Sequence, residues 1–129
     1  MLPHAAVLRN YTGEDVNGEA QYLPTLLSFV YVERLRKVSS SGVGLNPEDQ
    51  VRLFIFDDAS IVTAENGVRK SFVTPSVWKD LSADQRVTAW TMQDGKDKLD
   101  AGGDTYRLTS VERFDAGSRR MWHWEVYCK

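Results

Sequence analysis

Hydrophobic and polar positions along the chain alternate with the two-residue period of β-strands almost throughout. Ala5 to Tyr11 and Ala20 to Leu27 read as the first two strands, on either side of Glu14-Asp15-Val16-Asn17-Gly18. Asn-Gly readily takes the two positive φ values of a type I′ turn, so this segment predicts a hairpin joined by a loop. Leu26 to Val38 carries the densest β signal, with Phe29, Val30, Tyr31 and Val32 together. Strict alternation puts Leu27, Phe29 and Tyr31 on one face and Leu26, Val30 and Val32 on the other, with a bend expected near Tyr31 or Val32. Val51 to Phe56 reads as a strand entering a core. Ile61 to Thr63 and Ser71 to Val73 are short strands around Glu65-Asn66-Gly67. Thr88 to Met92, Tyr106 to Phe114 and Met121 to Tyr127 close the chain, with a further short strand at Lys98 to Asp100.

One segment breaks the period. Thr74-Pro75-Ser76-Val77-Trp78-Lys79-Asp80-Leu81 offers a capping hydroxyl, then a proline at the first helical position, then Val77, Trp78 and Leu81 on one helical face. Ser82 can cap a further turn. The pattern therefore predicts one mainly-β domain over residues 1–129. It is a small barrel or sandwich of about seven to eight antiparallel strands with one short helix.

The chain has 129 residues, 42% of them hydrophobic, which suffices for a core without disulfide or metal staples. Sixteen basic and eighteen acidic side chains leave a formal charge of −2, which argues against a dedicated nucleic-acid or anionic-membrane surface. Arg34, Arg36, Lys37 and Arg52 are the nearest approach to a basic patch. Cys128 stands alone, so no internal disulfide forms and a reducing compartment is expected. No secretory signal is visible after Met1, and Leu23 to Val32 is about half the length of a membrane span. The cytoplasm is the expected location.

Candidate chemistry is sparse. His123 and Glu125 lie two apart on a strand and so share a face, where the carboxylate could tune a general base. A small hydrolase built on this pair competes with the plainer reading of a strand face. His4 lies near the terminus, and Cys128 is a poor nucleophile position. Asp94, Asp97, Asp100 and Asp104 are spaced by threes and fours, which does not fit the alternate ligands of an EF-hand. Gly42-Val43-Gly44 has Pro47 where the third glycine of a dinucleotide loop belongs. No cofactor, metal or catalytic residue is assigned. Trp78, Trp90, Trp122 and Trp124 are expected in the core; exposed, they would instead make a carbohydrate- or peptide-binding platform.

The order of the pieces resembles small minor structural proteins of tailed phages and prophages. The resemblance rests on Leu2-Pro3-His4 with Val7-Leu8-Arg9-Asn10-Tyr11, the Asn-Gly hairpin, Val51 to Phe56, and Phe72 to Leu81. It continues through Trp90 to Asp97, Tyr106 to Val111 and His123 to Val126. Such proteins often carry a Gly-Asp turn where this chain has Gly95-Lys96. The resemblance implies a non-enzymatic virion component, a head–tail joining protein or a minor capsid or tail subunit. Such β-barrel subunits assemble as rings against portal, neck or tail proteins, in the host cytoplasm and then in the virion. The polar segment Ser39, Ser40, Ser41, Gly42, Val43, Gly44 and Asn46 would be its mobile assembly loop.

Overall fold

The computed structural model describes residues 4–36 and 49–129. The proposed assembly segment, Ser39 to Asn46, lies outside them. Nine strands, two short α-helices and one 3₁₀ turn follow one another, and the mainly-β expectation holds. The strands are β1 (His4–Glu14), β2 (Ala20–Arg36), β3 (Asp49–Phe56), β4 (Ile61–Thr63), β5 (Ser71–Phe72), β6 (Ala89–Trp90), β7 (Lys98–Ala101), β8 (Asp104–Phe114) and β9 (His123–Cys128). Six of them close a ring in the order β1-β7-β8-β9-β3-β2, with β2 returning to β1. Every pairing in the ring is antiparallel. Closure removes the free edges that an open sheet of this size would expose. β4 pairs with β2 outside the ring, and β5 and β6 form a two-stranded parallel pair.

Inward-facing side chains fill the barrel: Leu8, Val30, Val51, Leu53, Leu99, Leu108, Val126 and Cys128 are essentially inaccessible. Burial of this apolar surface, on the order of 25 cal/mol per Å², is the main force holding the ring closed.

The two strands expected from 20 to 38 are one continuous strand, β2, and its faces are not those of strict alternation. Phe29 has φ 56°, the only positive value at a non-glycine residue among the described residues. The β1–β2 register skips it, pairing Ala5 with Ser28 and His4 with Val30. This bulge inserts one residue and reverses the phase. Thr25 and Leu27 are buried before it, Val30 after it, so Leu27 faces inward while Phe29 and Tyr31 are exposed. The bend falls at Phe29 rather than at Tyr31 or Val32. Ser60 stabilises the turned backbone: its hydroxyl donates to the Phe29 carbonyl at 2.7 Å and accepts from the Phe56 N–H at 2.9 Å. β8 repeats the device at Thr109, where the register jumps from Leu108–Cys128 to Ser110–Tyr127.

Both Asn-Gly loops form hairpins, although neither is a type I′ turn, because only Gly18 and Gly67 take positive φ. Asp15 and Asn66 accept backbone N–H groups two residues on, which holds each loop without a second left-handed residue.

Helix α1 (Pro75–Asp80) begins at its predicted cap, with the Thr74 hydroxyl accepting from Val77 N–H. The further turn at Ser82 is a second helix, α2 (Ala83–Arg86), closed by a reciprocal capping box between Ser82 and Gln85. The described residues thus hold two short α-helices where one was expected. Trp78 is 1% exposed and its indole N–H donates to Tyr11 O at 3.0 Å, anchoring the pair onto β1, whereas Val77 points to solvent. The strand expected at Thr88 to Met92 shortens to Ala89–Trp90, and the last strand begins at His123, leaving Trp122 outside it.

Candidate functional site

Outward-facing positions of β2, β3, β9 and β8 form a continuous wall, and the register specifies its neighbours. Phe56 lies opposite His123, and His123 opposite Phe114. Tyr31 lies opposite Phe54, and Phe54 opposite Glu125. Glu33 lies opposite Arg52, and Arg52 opposite Tyr127. An aromatic row and a charged row therefore run across four strands side by side.

In the aromatic row the His123 ring is sandwiched, with Phe114 at 4.9 Å between centroids and 5° between planes, and Phe56 at 5.1 Å and 28°. Tyr31 meets Phe54 edge to face at 5.8 Å. Phe29, Tyr31, Phe114 and Met121 leave large parts of their side chains in water, 54%, 39%, 41% and 62% exposed. In the charged row, Arg52 donates to Glu33 at 2.8 Å, lies 3.8 Å from Glu125 and stacks 5.0 Å over Phe54. Flat rings and a guanidinium plane held by cross-strand packing present apolar area at little entropic cost, as contact surfaces do.

His123 and Glu125 do meet, with Nε2 3.0 Å from the carboxylate. Nδ1 lies 2.7 Å from the carbonyl of Met121. Both ring nitrogens thus face acceptors, and both hydrogen bonds are made together only when the ring carries both protons. That arrangement ties the ring in place and leaves no lone pair directed at a substrate.

The other candidates are dispersed. His4 accepts from Val32 N–H through Nδ1 and lies 5.4 Å from Tyr31. Cys128 is wholly buried, and that burial pushes its thiol up to about 12, well away from reactivity. Trp78 and Trp90 are buried and Trp124 packs against the core, as expected, whereas Trp122 is only partly buried, outside the core, with the Arg119 guanidinium 5.7 Å over its ring. Of the spaced aspartates, Asp100 pairs with Arg9 and Asp104 reaches Arg34 at 3.6 Å.

Asp97 has a role that its loop context concealed. Fully buried, it accepts from Tyr11 N–H (2.7 Å), Gln93 N–H (2.7 Å), Asn10 Nδ2 (2.9 Å) and Gln93 Nε2 (2.9 Å). Burial nonetheless pushes its carboxyl up to about 6, against the opposing pull of these donors. This network fastens β1 to the segment before β7.

Among the described residues, no group of three or more metal-ligating side chains gathers, and no helix is long and apolar enough to cross a membrane. Comparison with protein-family models, curated proteins and solved structures gives no match.

Proposed function

We propose that this chain is a non-enzymatic structural subunit of a tailed-phage or prophage virion, acting at head–tail joining or as a minor capsid or tail component. The observation that best supports an assembly role is the aromatic wall. Phe54, Phe56 and Phe114 surround His123 on the outside of a closed barrel, with Tyr31 against Phe54, where they add nothing to its interior. Half-exposed aromatic rings rimmed by arginine and carboxylates have the composition of a protein–protein contact surface. The virion assignment itself comes from the resemblance of the chain to phage minor structural proteins.

The isolated subunit is expected to be a monomer or weak oligomer that forms a ring only on a portal, neck or tail surface. Mass spectrometry of purified particles from the phage or prophage encoding the chain should detect it in stoichiometric amounts. Phe114→Lys, a change at an exposed ring, should lower its incorporation while leaving its thermal unfolding unchanged. Absence of the chain from particles overturns the virion assignment, and full incorporation of the Phe114→Lys subunit overturns the role of the wall.

A further inference from the structure

Where β3 ends and β9 begins, a cavity of about 340 Å³ opens between the barrel and the segment that joins β4 to β5. Its apolar walls include Phe72, Trp90 and Trp124, with Phe72 4.7 Å from Trp124 and 5.1 Å from Trp90. Lys70 and Arg69 also line it. The volume lies within the range of small-molecule sites, and apolar walls with a few placed polar groups are their usual make-up.

The cations around this cavity are unevenly balanced. Arg113 is matched by Asp57 through two parallel hydrogen bonds of 2.7 and 2.6 Å, and that guanidinium holds the Asp57 carboxyl below the usual range. Arg119 lies 3.7 Å from Asp58. Lys70 is only 8% exposed, and its ammonium donates to Pro24 O (3.1 Å) and Thr25 Oγ1 (2.9 Å), both neutral. Two of its three N–H groups are thereby used. Among the described residues, neither Lys70 nor the exposed Arg69 has a carboxylate within 4 Å, and the nearest counter-charge acting on Lys70, Glu65, offsets only part of its burial. A buried ammonium with no carboxylate in contact is costly, and an anion from outside the chain would relieve that cost.

We propose that this cavity binds an aryl carboxylate, with its ring against Phe72, Trp90 and Trp124 and its carboxylate completing the shell of Lys70. A single buried cation with no carboxylate in contact suits a monoanion. A dianionic phosphate would need the further donors that Arg113 has already given to Asp57. The cavity meets the outer wall at Phe56, which lines it and stacks on His123, but Lys70 and Arg69 are not part of that wall, so variants at these two residues test the cavity separately from the assembly role.

The test is titration of the intact protein with benzoate and phenylacetate beside their neutral amides, following the indole N–H signals of Trp90 and Trp124 by NMR. Saturable shifts are expected with the acids, at least about tenfold tighter than with the amides, since charge-assisted hydrogen bonds carry that much discrimination. Lys70→Met, which keeps the stem and removes the charge, should abolish the preference. Arg69→Gln, a surface change that leaves the core untouched, should lower it about threefold, as a partly screened charge would. Should Lys70→Met fail to fold, Arg69→Gln decides. Equal binding of acid and amide, no saturable shift with either acid, or an undiminished preference in Arg69→Gln overturns the proposal.

Discussion

Asp97→Asn separates two effects that oppose each other in the buried network around β1. Four N–H donors converge on the carboxylate and favour its ionised form, whereas complete burial disfavours it. Burial dominates, with the folded carboxyl titrating at about 6 against an ordinary 3.8. Between those values the folded chain holds a proton that the unfolded chain has released. Stability from this group is therefore greatest below 3.8 and is lost as pH rises through 6. From pH 7 down to 4.5, about one and a half units of this window are crossed, worth ~2 kcal/mol in favour of the wild type. Asparagine has no proton to gain, so its stability lacks this component. At pH 7 the variant keeps one acceptor oxygen and turns an amide toward two N–H groups, a loss of about 2–6 kcal/mol. Relief from burying the carboxylate charge offsets part of that loss. The variant should thus be close to wild type or modestly weaker at pH 7, and the gap should widen by ~2 kcal/mol at pH 4.5. Urea unfolding of both proteins at the two pH values measures this, with the other titrating groups cancelling in the difference. A gap that narrows toward acid would show that the four donors outweigh burial and would refute the reasoning.

Other expected outcomes follow from single contacts. Trp78→Ala should cost about 3–5 kcal/mol in chemical denaturation, because the ring is fully buried and its N–H is spent on Tyr11 O. The Cys128 thiol should resist a disulfide reagent at pH 8 in the native protein and react at once in denaturant; prompt native labelling would contradict its burial. Phe29→Asn should raise stability by up to ~1 kcal/mol, since asparagine tolerates the left-handed backbone and the lost ring is already half in water. A thermal midpoint lowered by Phe29→Asn would mean that the aromatic side chain, rather than the bulge, holds that corner.

Alternation made most strands readable because each wall of a barrel is dry on one side and wet on the other. Thr74-Pro75 and Ser82 announced the helical starts through capping chemistry that acts locally. Closure was harder to read, since it depends on β1 pairing with β7, a contact between residues about ninety positions apart. The phase of β2 was misread for the same reason. Nothing in Ser28-Phe29-Val30 marks Phe29 as left-handed, and it is held there by Ser60, brought up from another element. The buried partners of Asp97 and the burial of Lys70 were likewise hidden. Aspartate and lysine in turn-rich segments read as solvated until the fold places Asn10 or Thr25 against them. The His123–Glu125 contact was foreseeable from their spacing, whereas the two phenylalanine rings that clasp His123 come from β3 and β8.

The bulges at Phe29 and Thr109 give this barrel something akin to a reading frame in space. Before Phe29 the odd positions of β2 point inward, and after it the even ones do; on β8, Tyr106 and Leu108 point inward before Thr109, and Val111 packs against the core after it. Substitution at either position leaves the frame intact. Deletion of either residue would remove the bulge and leave a regular alternation, with Val30 still inside and Tyr31 outside, whereas deletion or insertion at a paired neighbour would act as a frameshift, exchanging core and solvent side chains along the strand beyond it. The chain should therefore tolerate loss of a residue at these two corners better than at any paired position beside them.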